Sequence, residues 1–279
     1  MSNPVLNERS LQNARSTWAP PSSGSGHFPP VTDGPVSDWS PSAPTATRPM
    51  TVNGAVSATA TLLVLLLVSA SFGWLATGGP IQTAPGVYQY GIPTLAWVGL
   101  IVGIGLTFLL MFRPTLAKFV APVYALAQGF FIGAISRMYE TFYDGIVVQA
   151  AGATIAVFAV MLVLYRTRII KVTERFRRIV VAATIGVMLF YGVTLLIRLF
   201  AGADAVSFLA SPSLLGIGFS IFVAGLAAFN LALDFDFIER GAEQRLDKNF
   251  EWFAAFGLLV TIIWLYLELL RLLAKLRER

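Results

Sequence analysis

Seven long apolar runs, separated by short polar stretches, organise this chain from about residue 55 onward. They occupy residues 55–77, 93–112, 119–138, 145–165, 179–200, 214–235 and 250–273. A helix of about 20 residues spans the ~30 Å hydrocarbon core of a bilayer. It also pairs its own backbone N–H and C=O groups, as lipid requires. The pattern predicts an all-α, polytopic membrane protein, with residues 51–279 forming a seven-helix transmembrane domain. Residues 1–50 follow no such pattern. The stretch "STWAPPSSGSGHFPPVTDGPVSDWSPSAPTATRP" is rich in Pro, Ser and Gly and has no apolar period. It cannot bury enough surface to offset its ordering entropy, so a disordered N-terminal tail is expected. No signal peptide is expected there, because the first apolar run lacks a basic region just before it.

The third run, "FVAPVYALAQGFFIGAISRM", departs most from a simple pattern. It carries Pro122, Gly129 and Gly133. Proline inside a helix predicts a kink, and the GxxxG spacing of the two glycines predicts close approach of another helix. The same spacing also fits the general glycine richness of membrane helices.

Loop charge then gives an orientation. The segment "RTRIIKVTERFRR" between the fourth and fifth runs holds six basic residues. Arg113 and Lys118 lie between the second and third, and Arg240, Arg245 and Lys248 between the sixth and seventh. The connections after the first and fifth runs hold none. Basic loops stay on the cytoplasmic side, so the N-terminus is expected in the cytoplasm of a multi-pass cell-membrane protein. The C-terminal "RLLAKLRER" disagrees, because seven crossings would place it outside: either this short tail violates the rule or the seventh helix does not fully cross, and seven spans are expected.

Composition narrows the chemistry. The chain is 56% hydrophobic and 13% charged, about half the charged fraction of a soluble domain. Its net charge of +5 is spread between apolar runs, which argues against a nucleic-acid partner. Cysteine is absent, which excludes disulfides, thiolate nucleophiles and zinc–cysteine sites. The single histidine, His27, lies in the tail. A Ser–His dyad in the membrane, a zinc-binding HExxH motif and a bis-histidine haem site are therefore excluded. No lysine lies within an apolar run, which argues against a retinal Schiff base. An enzyme is not expected, and no resident cofactor or metal is implied. The lipid bilayer is the expected partner.

Ionisable groups at membrane depth are costly and often mark function. The candidates are Asp234 and Asp236 at the end of the sixth helix, Glu251 at the start of the seventh and Glu268 late in the seventh, joined by Arg198. Positions two apart on a helix point about 200° away from each other. Asp234 and Asp236 therefore cannot share a face. Asp236 lies four residues before Arg240, the spacing of an interfacial ion pair, and Asp234 is the better inward acid. Glu268 is expected to pair with Arg271 or Arg198. Glu251 is expected to be an exposed first-turn carboxylate that suits the helix dipole.

Two stretches carry a resemblance. "RPTLAKFVAPVYALAQGFFIGAISRMYE" and "LALDFDFIERGAEQRLDKNFEWFAAFGLLVTIIWLYLELLRLL" are similar to regions of Bax inhibitor-1-like membrane proteins of a bacterial branch. The resemblance covers about residues 50–279. It implies a seven-helix bundle whose last helix is wrapped by the other six. It also implies a pH-sensitive calcium leak across a membrane and a part in cell stress. In that family an acid ending helix six pairs with an acid in helix seven, and an arginine from helix two latches onto the first acid. Asp234 matches the helix-six acid, and Arg113 is the candidate latch. For the second acid the resemblance offers Glu268 by local flavour, while a gap-free reading places uncharged Thr261 there. Glu251 is nearer to Asp234 in depth. Gln128 stands where many relatives carry an acid. With calcium or another cation as passenger, the implied function is a calcium-leak channel gated by Asp234. The alternative is a non-transporting stress regulator that binds other membrane proteins.

Overall fold

The structure is a computed structural model that describes residues 49–79, 81–84, 87–89, 91–201 and 212–279. The expected disordered tail, residues 1–50, lies almost wholly outside the described residues, as does His27. Seven helices follow in order: α1 (Val52–Ala76), α2 (Thr94–Phe112), α3 (Ala117–Phe142), α4 (Ile146–Arg166), α5 (Glu174–Ala201), α6 (Leu214–Glu243) and α7 (Phe250–Arg277). All seven are long and apolar enough to cross a membrane. The fold is all-α as expected, apart from a small antiparallel hairpin between α1 and α2. Its strands are β1 (Ile81–Ala84) and β2 (Val87–Gln89). A single 3₁₀ turn, Pro114–Leu116, leads into α3.

The helix ends extend the sequence pattern in places where polar residues continue the helix. α6 runs on to Glu243 and α5 begins at Glu174, so Asp236, Arg177 and Arg240 belong to helices rather than to loops. The hairpin between α6 and α7 is tight. Arg245 takes a left-handed conformation at φ 52° just beyond the α6 cap. Leu246 N–H then returns to the Gly241 carbonyl at 3.0 Å, a closure that satisfies one of the last helical carbonyls. The chain before α1 is clamped onto this turn: Met50 N–H donates to Leu246 O at 2.7 Å, and Pro49 bridges Asp247.

The last helix is the most buried. Over its most apolar window 56% of residues are buried, against 17% in α5. α7 packs on α1, α3, α4 and α6, while α2 packs on α3, and α5 packs on α6. The centre of the bundle is therefore α7, with α2 and α5 at the periphery. One core cluster joins Leu62 and Leu66 of α1, Tyr124 and Ile132 of α3, and Phe256 and Leu259 of α7. A second joins α4, α6 and α7 around Met161, Leu231, Phe235, Leu258 and Leu265. Large apolar residues such as Leu75, Ile101, Val148 and Phe200 face outward, as lipid-facing positions do.

The closest helix contact is between α1 and α3, and the GxxxG glycines make it. A Cβ built on Gly133 would lie 1.9 Å from the Ala70 carbonyl oxygen, and one on Gly129 would lie 2.4 Å from Leu66 O. Gly73 of α1 returns the fit, since its Cβ would meet Phe130 O at 2.1 Å. With no side chain at these positions the two backbones touch, and Ser69 Oγ donates across to Leu126 O at 2.5 Å. α3 continues as a helix through Pro122.

Candidate functional site

The two ends of the bundle differ in charge. The basic end holds the start of α1, the α2–α3, α4–α5 and α6–α7 connections, and most of the predicted site residues. Asp234 and Asp236 lie on α6 near this end, and Asp234 is about 14 Å inside the helix terminus at 1.5 Å per residue. Their side chains diverge as helical geometry requires.

Asp234 turns toward α7. A Cβ built on Gly257 would lie 3.7 Å from its Oδ1, and the Thr261 hydroxyl faces it. Thr261 Oγ1 donates to the Gly257 carbonyl at 3.2 Å. Oδ2 of Asp234 is buried and has no hydrogen-bond partner among the described residues. Glycine at 257 leaves room for the carboxyl group, so this acid sits in a small, nearly apolar niche between the sixth and seventh helices. Of the two positions the resemblance offered for a partner, Thr261 is the one at its level. Glu268 lies eleven residues beyond Gly257 on α7, or about 16 Å along the axis.

Asp236 faces the other way and forms a buried ionic cluster. Arg240 Nε donates to its Oδ1 at 2.9 Å and Arg177 Nη2 to its Oδ2 at 2.7 Å. The Asp236 side chain is 8% exposed, whereas the two arginines are 39% and 38% exposed. Both guanidinium groups thus pair with the carboxylate while keeping part of their hydration. Glu174 lies 3.5 Å from Arg177 and 3.7 Å from Arg240. A neighbouring group links Glu239 to Arg168 at 2.6 Å and to the Tyr165 hydroxyl. Sequence reasoning reached the Asp236–Arg240 spacing but counted Arg177 only as loop charge. The signal it lacked was that α5 starts early enough to bring Arg177 alongside.

Glu251 corrects an expectation. It is not an exposed first-turn residue: it is 5% exposed and points at the start of α1. Its Oε1 accepts from both the backbone N–H and the hydroxyl of Thr51, each at 3.0 Å. Thr51 is the N-cap of α1, and its Oγ1 in turn accepts from Gly54 N–H at 3.0 Å. A Cβ on Gly54 would meet the Glu251 carboxylate at 2.1 Å, so this glycine admits the anion to the helix terminus. Unpaired N–H groups there favour negative charge. Glu251 is therefore occupied by α1 and takes no part in the Asp234 niche.

Arg113 also departs from the expected latch. It caps α2, is exposed, and makes no ion pair with Asp234 among the described residues. The 3₁₀ turn that follows it directs the chain away into α3. Gln128, where relatives carry an acid, is buried on α3 at 7% exposure. Its amide fills the space opposite Gly103, whose Cβ would lie 2.0 Å from Gln128 Nε2.

Glu268 belongs to the opposite end. It is 1% exposed, and its Oε1 accepts from Arg271 Nη1 at 2.7 Å and from the Tyr191 hydroxyl at 3.0 Å. Arg271 also stacks over the Tyr191 ring at 5.5 Å. Of its two expected partners, Arg271 makes the pair, and the side chain of Arg198 lies outside the described ones. Lys275, four residues after Arg271, is only 3% exposed. Its Nζ donates to Ser220 Oγ at 2.8 Å and Gly216 O at 3.0 Å. Lys275 lies two residues beyond the seventh apolar run, but α7 continues to Arg277 and buries it. At the rim, Tyr143 donates to Glu278 Oε1 at 2.5 Å. Burial first and then this carboxylate push the Tyr143 hydroxyl up to about 12, so it stays a donor at neutral pH.

Among the described residues no group of three or more His, Cys, Asp or Glu side chains is placed to hold a metal ion.

Seven apolar helices, the last of them the most buried, with ionic groups toward the two ends and a buried acid, Asp234, in no ion pair among the described residues, define a polytopic α-helical membrane protein. The family model described as Bax inhibitor 1 like matches residues 3–278, nearly the whole chain, and the chain belongs to that family. No curated protein matches the chain significantly.

Proposed function

We propose that the protein is a proton-sensitive cation leak, with calcium as the preferred passenger and Asp234 as the gating acid. The observation that supports this reading is the Asp234 carboxyl group, whose buried Oδ2 has no partner. A desolvated carboxylate with no cation and with one oxygen left unpartnered is strongly disfavoured. The group is therefore at ease only when it carries a proton or meets a cation. Both α6 and α7 border the niche, and the small residue Gly257 keeps it open. Calcium takes oxygen ligands, carboxylate and hydroxyl or carbonyl alike. Asp234, the Thr261 hydroxyl and the Gly257 carbonyl offer such oxygens in one place. In this reading gating needs no arginine latch. Proton uptake at Asp234 by itself changes the charge of the seam between the central helix and α6.

The test is calcium flux into proteoliposomes across a range of pH. The wild-type protein is expected to conduct with a pH-dependent rate, and Asp234→Asn to conduct at a rate independent of pH. Flux and pH response both unchanged in Asp234→Asn would remove the acid from the mechanism. Absence of flux by the wild type, with a stoichiometric membrane-protein partner on purification, would favour the regulator instead.

A further inference from the structure

At the end of the bundle opposite the basic loops, a cavity of about 640 Å³ opens between the last turns of α3 and α7, the outer part of α5 and the start of α6. Two cations, Arg271 and Lys275, line it. Their circumstances differ. Arg271 is matched by Glu268 at 2.7 Å. Lys275, buried to 3% exposure, is in no ion pair among the described residues, and its hydrogen-bond partners are neutral: the Gly216 carbonyl and the Ser220 hydroxyl. An ammonium group has three N–H donors, so one remains beyond these two. A buried charge that no carboxylate touches is expensive, and the two acids that act on Lys275 from a distance, Glu268 and Glu278, are engaged by Arg271 and the Tyr143 hydroxyl. Gly216 and Ser220 also belong to the first two turns of α6, whose N-terminus adds partial positive charge.

Apart from Thr194, whose hydroxyl donates to the Phe190 carbonyl at 2.8 Å, and Glu278 at the rim, the rest of the wall is apolar or aromatic. Phe142 and Leu195 stand at the opening, 53% and 68% exposed, on surface that meets acyl chains in a bilayer. Tyr139, Tyr191 and Phe219 line the interior. The rim carries one acid, Glu278, which the Tyr143 hydroxyl holds. The volume is far larger than a simple inorganic anion needs and falls within the range of sites for organic ligands. Basic pockets between membrane helices on the cytoplasmic side take lipid head groups, and Arg271 and Lys275 offer the same chemistry at this end.

We infer that this cavity binds the phosphate group of an anionic membrane lipid, with Lys275 supplying the unmatched charge, Arg271 the second cation and the Phe142–Leu195 opening the path for an acyl chain. The site is separate from the Asp234 niche, which lies on α6 more than two helical turns closer to the basic end, and it does not depend on ion conduction.

The test uses the full-length protein purified in detergent. Its unfolding temperature and its retained lipid, by native mass spectrometry, are measured with phosphatidylglycerol, with phosphatidylcholine of the same chains and with inorganic phosphate. Phosphatidylglycerol is expected to bind at least tenfold more tightly than phosphatidylcholine and to raise the unfolding temperature. Inorganic phosphate is expected to bind more weakly than the lipid. Lys275→Met is expected to abolish the preference. Should Lys275→Met fail to fold, Leu195→Trp, which narrows the opening from an exposed position, is expected to reduce retention of phosphatidylglycerol without altering the lipid-free unfolding temperature. Equal retention of the two lipids would overturn the proposal. So would a preference that survives Lys275→Met, or, where that variant does not fold, undiminished retention of phosphatidylglycerol by Leu195→Trp. Inorganic phosphate binding as tightly as phosphatidylglycerol would assign the site to a free anion and overturn the lipid.

Discussion

Glu251 and Thr51, two hundred positions apart in sequence, close the basic end of the bundle: the carboxylate of the central helix accepts two hydrogen bonds from the residue that caps the first. The contact ties the entry of the chain into the membrane to the start of α7. Replacing Glu251 by Ala leaves the Thr51 N–H without a partner, at a cost of about 2 kcal/mol. Glu251→Gln keeps an acceptor and loses only the charge, at a cost of about 1 kcal/mol. Denaturation midpoints in mixed micelles measure both, and an equal effect of the two changes would contradict this ranking.

The α1–α3 contact predicts a sharp contrast between glycines. Gly133→Leu forces side-chain atoms into the Ala70 carbonyl and should destabilise by about 3 kcal/mol. Gly152→Leu, on α4 with nothing within 4 Å of its built Cβ, should change stability by no more than about 0.5 kcal/mol. The same unfolding assay, run on both variants, checks the difference.

The Asp236 cluster predicts coupling rather than a large loss. Its two arginines are more than a third exposed, so solvent screens them when the acid is removed. Asp236→Asn should cost about 1–2 kcal/mol, and Arg177→Met less, because Arg240 still holds Oδ1. A double-mutant cycle between Asp236 and Arg177 should return about 1 kcal/mol. Simple additivity would show that the pair contributes nothing.

Thr261→Asp places a second carboxyl group against Asp234. Two acids that close disfavour each other's ionised form and share a proton, so a proton is retained to higher pH. The midpoint of the flux–pH profile should therefore move upward relative to wild type. A midpoint that does not move would separate position 261 from the gate.

Much of the architecture is legible in the sequence, because lipid imposes a single solution on each apolar run. All seven helices lie where the runs do, and the GxxxG spacing of α3 marks a real contact. The divergence of Asp234 and Asp236 follows from helical periodicity alone. What sequence could not supply was partner choice between elements. Arg177 reaches Asp236 only because α5 begins before the apolar run does. Glu251 looks like a solvent-facing first-turn acid until Thr51 is folded back onto it. The basic C-terminal segment stands against the loop-charge pattern, and the fold engages most of its cations. Here Arg271 is paired with Glu268, Lys275 is buried, and Arg277 donates to the Asp144 carbonyl at 2.6 Å. The spacing of Glu268, Arg271 and Lys275 along one face of α7 was the available signal.

The backbone-to-backbone seam of α1 and α3 has a mechanical consequence. Two helices whose glycines lie directly against the partner's backbone carbonyls have no side-chain layer to slide on, and the Glu251 tie fixes the end of this pair to α7. α5 has no comparable seam and rests mainly on α6. Among the described residues the bundle is therefore tightly seamed on the α1–α3 side and more loosely packed at α5.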